Sequence, residues 1–335
     1  MSKRVFVIGT GFTRDVDGFH LFYDTHDTAA RYSEDGGYRI AYAYSADGLK
    51  WIKPVVGAVE YAGSTANNLL DFTLGQSGSW NHVMMASCGV LRLSDRWRMW
   101  VAGYYRDAEN ALHSQMGYYE SDDPFHWKPM GGQPVVPNGP DGSFDWGFTR
   151  VPCVIREKGV YRMYYTASDG RDNWFVGYAE STNGRRWNKP RLNVFDYNGS
   201  TDNNLVLAAE PVRGELRVAH PWVFRDGNVY RMYYSVSLEV GKYCIGEATS
   251  QDGLHWIKDS QTVILEGGPQ ESFDYWYAAI PKVVRDSDGY RMWYTGYNGG
   301  TASAEGAAAY ALGYATSPDG LHWHKCETNP IFKGD

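Results

Sequence analysis

A chain of 335 residues with a formal net charge of −7 lacks the overall basic character that nucleic acid or an anionic membrane surface demands. No run approaches the ~20 apolar residues of a membrane-spanning helix. Aromatic residues make up 16% of the chain, with 26 Tyr, 13 Trp and 38 Gly, a composition of strands and tight turns rather than helices.

The chain opens on Met1-Ser2-Lys3-Arg4-Val5-Phe6-Val7-Ile8-Gly9, a basic start whose apolar stretch is too short for a secretory signal; a cytoplasmic location is expected. Phe19-His20-Leu21-Phe22-Tyr23 introduces a phrase that returns as Arg98-Met99-Trp100, Tyr161-Arg162-Met163-Tyr164-Tyr165, Tyr230-Arg231-Met232-Tyr233-Tyr234 and Tyr290-Arg291-Met292-Trp293-Tyr294. An alternating segment, Tyr38 to Tyr44, then runs into Ser45-Ala46-Asp47-Gly48-Leu49-Lys50-Trp51. This second phrase recurs as Ser121 to Trp127, Ser181 to Trp187, Ser250 to Trp256 and Ser317 to Trp323. Its Asp-Gly or Asn-Gly pair supplies the positive φ of a hairpin turn, and the tryptophan that follows can cover a sheet edge. The four cysteines met along the way, Cys88, Cys153, Cys244 and Cys326, form no CxxC pair and read as free thiols.

Repetition of this kind has to be read before any single element. Each repeat holds strand, turn, strand, long loop, strand, tight turn, strand. Five such units of four antiparallel strands predict an all-β, five-bladed β-propeller. One domain is expected over 1–335, with blades at approximately 1–60, 80–135, 145–195, 215–265 and 275–335. A further duplication relates Trp51, Lys53, Pro54, Tyr61, Gly63, Ser64, Thr65, Asn67, Asn68 and Leu69 to Trp187, Lys189, Pro190, Tyr197, Gly199, Ser200, Thr201, Asn203, Asn204 and Leu205; it reads as a structural turn.

In such a fold the links entering the inner strands share one face with the loops between second and third strands, and chemistry belongs there. That face collects Asp24, His26, Asp27, His82, Asp145, Trp146, Arg150, Arg217, His220, Glu239, Asp274, Tyr275 and Trp276. Carboxylates bond sugar hydroxyls and aromatic rings stack on sugar rings, so the mixture suits a carbohydrate. Each charge taken alone is more often simply solvated. Asp145 and Asp274 sit in equivalent Ser-Phe-Asp phrases, so capping a turn is an equal reading of either. His220 stands directly before Pro221 at the mouth of an inner strand, a stronger candidate than a surface histidine. The recurrent Arg162, Arg231 and Arg291 read as architectural.

The Pro-x-Val at the start of inner strands (Pro152, Pro221, Pro281), together with the two repeated phrases, resembles glycoside hydrolase family 43 and its relatives in families 32, 68 and 130. The resemblance covers nearly the whole chain. It implies a propeller with acidic residues at the inner-strand mouths, one protonating the leaving oxygen while another attacks or activates water. The matching positions here hold Gly9 and Thr10, Ser87 and Cys88, Arg150 and Val151, Ala219 and His220, and Ala279 and Ile280, with no carboxylate among them.

The leading expectation is therefore a glycoside hydrolase-like enzyme acting on a small glycoside or sugar-containing metabolite. Asp145 or Asp274 would be the general acid, and Asp24 or Asp27 the base or nucleophile. Arg150, Arg217 and His220 would clamp the substrate, with His26, His82 and Glu239 beside it and Trp146, Tyr275 and Trp276 stacking. Two alternatives stand next to it: a propeller recruited to a cyclisation, elimination or isomerisation with His220 as acid–base group, and a non-catalytic sugar-binding module. No cofactor or catalytic metal is expected, although some relatives hold a cation on the propeller axis. The partner is a saccharide or glycosylated metabolite, with no nucleic acid and no membrane.

Overall fold

The computed structural model describes residues 7–26, 37–61, 63–299 and 310–334. The described residues are almost entirely β: β1 (Ile8–Arg14), β2 (Phe19–His26), β3 (Tyr38–Ser45), β4 (Met84–Arg92), β5 (Trp97–Arg106), β6 (Leu112–Ser121), β7 (Lys128–Pro129), β8 (Phe148–Glu157), β9 (Val160–Ser168), β10 (Trp174–Ser181), β11 (Leu205–Leu207), β12 (Arg217–Asp226), β13 (Val229–Glu239), β14 (Lys242–Ser250), β15 (Ile257–Lys258), β16 (Tyr277–Asp286), β17 (Gly289–Tyr297), β18 (Tyr310–Ser317), β19 (His324–Lys325) and β20 (Phe332–Lys333). One 3-10 turn, Pro211–Arg213, is the sole helical element described. None of it is a helix long and apolar enough to cross a membrane.

Five antiparallel three-stranded units follow one another: β1-β2-β3, β4-β5-β6, β8-β9-β10, β12-β13-β14 and β16-β17-β18. The fourth strand expected in each repeat is cut short. Beyond β6, β14 and β18 the outer strands β7, β15 and β19 run for two residues each, and in the first unit only the isolated pairings Tyr44–Ile52 and Ala41–Leu69 remain. In the first three units Pro54, Pro129 and Pro190 follow the covering tryptophans within three residues and cannot donate to a ladder, whereas β15 and β19 are equally short with no such proline.

Cores lie between units rather than within them. Phe22, Ile40 and Tyr42 pack on Met85, Val90 and Met99. Trp100 and Tyr118 meet Val154 and Met163. Tyr164 and Tyr178 meet Val223 and Met232, and Tyr233 and Ile245 meet Val283 and Met292. The circuit closes where Trp293 and Leu312 pack on Phe12 and Leu21.

A polar latch repeats across these interfaces. The middle-strand aromatic donates to the glycine carbonyl of the next unit's tight turn: Trp100 to Gly184 (2.9 Å), Tyr164 to Gly253 (2.9 Å), Tyr233 to Gly320 (3.0 Å) and Trp293 to Gly48 (2.6 Å). Gly48 sits at φ +82°, and a Cβ there would lie 2.5 Å from the Trp293 ring, so turn and latch both require glycine. The first unit has Phe22, which cannot donate, and the turn it faces has Pro124 in place of glycine; there Phe22 packs edge-on against Trp127 instead. Arg98, Arg162 and Arg291 reinforce the pattern by donating to the carbonyls of Asn183, Asp252 and Asp47.

The duplicated Tyr-x-Gly-Ser-Thr-x-Asn-Asn segment is a matching pair of turns. Tyr61 pairs with Ser64 and Tyr197 with Ser200. Asn68 and Asn204 each donate to a third-strand carbonyl and to a buried tyrosine hydroxyl, that of Tyr23 or Tyr165.

Candidate functional site

The inner strands β1, β4, β8, β12 and β16 each carry one extra residue near their start, where the register to the middle strand slips. In four of them the bulged residue has left-handed backbone: Ser87 (φ 59°), Val151 (φ 48°), His220 (φ 54°) and Ile280 (φ 54°). For Val and Ile this costs on the order of 1–3 kcal/mol. At Ser87, His220 and Ile280 the strain is held by a second repeated latch. Middle-strand residues Asp24, Thr166, Ser235 and Thr295 receive the backbone N–H of Ser87, His220, Ile280 and Gly9 on the following unit, at 2.9, 2.7, 2.9 and 3.2 Å. Ala102 stands at the fifth such position.

Lining up the units by register shows where chemistry departs from architecture. The paired positions Ile8–Asp24, Ala86–Ala102, Arg150–Thr166, Ala219–Ser235 and Ala279–Thr295 are equivalent. Asp24 is the one carboxylate where sisters carry hydroxyls or a methyl. Arg150 is the one charge where sisters are aliphatic. His220 is equivalent to Gly9, Ser87, Val151 and Ile280, and Lys282 to Gly11, Gly89, Cys153 and Trp222. Architecture alone asks for none of these four.

Three of them, Asp24, Arg150 and His220, line a cavity of about 290 Å³ at the starts of the inner strands. Its wall also holds Thr10, Met84, Ser87 and five tyrosines: Tyr38, Tyr104, Tyr243, Tyr277 and Tyr310. Asp24 is 3% exposed. It accepts the Ser87 N–H at both oxygens (2.9 and 3.1 Å) and the hydroxyls of Ser87 (3.4 Å) and Thr10 (3.5 Å). Burial outweighs these donors and the Arg150 charge, pushing the carboxyl up to about 7. Arg150 lies over the Trp174 ring at 4.4 Å and beside Phe148 at 5.6 Å. His220 bonds the Ser235 hydroxyl through Nδ1 at 3.0 Å. Its ring opens to the cavity, yet its depth in the protein, with the Arg150 and Lys282 charges, holds it well below the usual imidazole range, so it is neutral. Lys282 lies deeper, 2% exposed, 4.9 Å from the Trp222 ring; burial brings its ammonium down to about 8.

No protein-family profile matches the chain. An uncharacterized protein of Mycobacterium tuberculosis, Rv1502, is 30% identical over 206 residues, which is 58% of this chain and 60% of that protein. The chain thus aligns with less than two thirds of the curated relatives' length. Among solved structures, a thermostable family-43 glycoside hydrolase superposes with a TM-score of 0.66 at 15% identity, covering 95% of this chain and 92% of that one. The family-32 β-fructofuranosidase BmSUC1 of Bombyx mori gives 0.61 at 13% identity, covering 98% and 65%. A structure described under the family-130 mannoside phosphorylases, a family that contains glycoside hydrolases targeting β-1,2 mannosidic linkages, gives 0.56 at 19%, covering 76% and 73%. The fold is that of the propeller glycoside hydrolases.

The propeller brings together Asp24, Arg150 and His220 of the residues singled out in the sequence. Asp145 and Asp274, offered as general acids, lie outside the cavity wall. Asp145 accepts from Lys189 (2.6 Å), Tyr165 (2.9 Å) and Ser143 (3.1 Å). Asp274 accepts from Lys325 (2.6 Å), Tyr294 (2.9 Å), Ser272 (2.9 Å) and the Gly268 N–H (3.1 Å). Glu215 holds Lys258 in the same way. These are clasps joining each incoming link to its unit's outer edge.

The other candidates among the described residues are also elsewhere. Arg217 pairs with Asp172, Glu239 with Lys242 (3.0 Å), and His82 bonds the Ser79 carbonyl (2.6 Å). Tyr275 and Trp276 flank Lys242, and Trp146 packs edge-on against His113. Asp27 and the His26 side chain lie outside the described residues. The sequence reading missed the five tyrosines, Thr10, Ser87 and Lys282. Aligning the repeats position by position exposes Lys282; the tyrosines sit at strand starts, where nothing in their spacing separates wall from core.

An axial cation does not fit the residues present. Among the described residues, buried Lys282 has one carboxylate and two thiols around it, not the oxygen set a hard ion requires. Among the described residues no cluster of three or more His, Cys, Asp or Glu could hold a metal.

Proposed function

We propose that the chain is a five-bladed propeller over 1–335, its five units being the blades, and that it is a glycosidase-like enzyme acting on a saccharide in the Asp24 cavity. The observation that carries this is Asp24 itself: a buried carboxylate, raised to about 7, in the wall of a tyrosine-lined cavity where equivalent blades have only Ala, Ser or Thr. A carboxyl poised near neutrality can give a proton to a leaving oxygen and take one back. Tyrosine faces and hydroxyls suit a sugar ring, and Arg150 with neutral His220 supplies donors for its oxygens.

The test is turnover of a panel of aryl glycosides and oligosaccharides in 18O-labelled water. The reading expects a cleaved glycoside and one solvent oxygen per bond broken. A rearranged product without label would establish a non-hydrolytic reaction, and tight binding without turnover would establish a binding module.

A further inference from the structure

Resting on that reading, we propose that the group bound beside Arg150 and His220 is an anionic oxygen group, the carboxylate of an acidic sugar or a phosphate. The titratable and charged groups that face this region among the described residues are Asp24 from β2, Arg150 from β8, His220 from β12 and Lys282 from β16, with the thiols of Cys88 and Cys153 and the phenols of Tyr38, Tyr104, Tyr243, Tyr277 and Tyr310. Two of these are cations. Asp24, whose carboxyl burial raises, is the one carboxylate, and His220 is neutral. Among the described residues of a chain of net charge −7, a guanidinium in the cavity wall and a buried ammonium thus share this region with a single carboxylate.

Lys282 carries the point independently of Arg150. It makes no ion pair or hydrogen bond among the described residues; it rests on the Trp222 ring and feels Asp24 and the thiols of Cys88 and Cys153 only through space. A buried ammonium with no directly bonded anion is costly, and every equivalent position manages without one. The stacking of Arg150 on Trp174 fixes the guanidinium plane, the arrangement that suits two-pronged pairing with carboxylate or phosphate. The Ser235 hydroxyl receives the Ile280 N–H and engages Nδ1 of His220, which leaves Nε2 as the nitrogen that faces the cavity. A neutral imidazole N–H there adds a donor without a further charge.

Calorimetry with D-glucuronate, D-galacturonate, D-glucose, D-galactose and inorganic phosphate tests this. At least one anion should bind about tenfold or more tightly than the neutral sugars, the effect of one charge-assisted pair. Arg150→Gln should remove that margin, Arg150→Lys should restore part of it, and Lys282→Met should reduce it. A uronate preference assigns the anion to the sugar; phosphate binding alone assigns it to a free ion and counts against the saccharide reading. Neutral sugars binding as tightly as uronates, with phosphate unbound, would overturn the proposal and leave the saccharide reading standing. Binding of no probe would overturn it as well, as would an anion preference that Arg150→Gln leaves intact in a folded protein.

Discussion

Asp24 carries a cost that its sister residues do not. Thr166, Ser235 and Thr295 perform the same latch with neutral oxygens, whereas Asp24 must ionise in a buried site to present a charge. Its carboxyl is raised from 3.8 to about 7, so the folded protein binds this proton more tightly than the unfolded chain does. The group's contribution to stability is therefore greatest below pH ~4, declines as pH rises, and the full penalty is present above about 7. Asp24→Asn keeps an oxygen for the Ser87 N–H and removes the penalty. It should melt higher than wild type at pH 8 by an amount on the order of 2–4 kcal/mol, with the gap closing by pH 4, while losing turnover. Denaturant titrations at the two pH values check this; equal stability at both would show that the carboxyl is not raised. At this scale the sequence was legible where a charge stood at a strand mouth, as Arg150 and His220 do. It was not legible for Lys282, one residue past Pro281, which reads as ordinary strand until the five units are superimposed.

The elements explain why Asp145 and Asp274 looked catalytic. Both are 2% exposed and stand next to aromatics, as an active-site acid would. What the local sequence does not show is the lysine two residues after each covering tryptophan, Lys189 and Lys325, which folds back onto them from 44 and 51 residues away. Lys189→Met should strand Asp145 and cost about 3–5 kcal/mol, and adding Asp145→Asn should recover much of that. Turnover per folded molecule should change little in the double variant, because the clasp lies off the cavity wall. Thermal melts with activity normalised to folded protein measure both. Strand phrases, tight turns and their order were all readable from periodicity and Asp-Gly chemistry. The shortened outer strands of the first three units were readable too, from the prolines after Trp51, Trp127 and Trp187; those of the last two units carry no such mark.

The whole molecule is a circuit, and its closure rests on contacts between the last unit and the first. Trp293 is fully buried against Phe12 and Phe19 and donates to the Gly48 carbonyl. Trp293→Ala should cost about 3–5 kcal/mol. Trp293→Phe, which keeps most of the packing and loses only the donor, should cost about 1–2 kcal/mol. Cyclic closure was legible because five copies of a four-strand phrase fit a propeller. The pocket's contents were not, because a propeller draws its wall from strands separated by more than 250 residues, such as β1 and β18.

The central claim is that reaction takes place at the Asp24 wall and not at the clasps. Turnover of Asp24→Asn, Asp145→Asn and Asp274→Asn on the substrate found in the glycoside panel tests it most directly, each normalised to folded protein. Asp24→Asn is predicted to lower kcat by about 10³-fold or more, with the other two within a few-fold of wild type. Full turnover by a folded Asp24→Asn, or its loss in a folded Asp145→Asn or Asp274→Asn, would contradict the account.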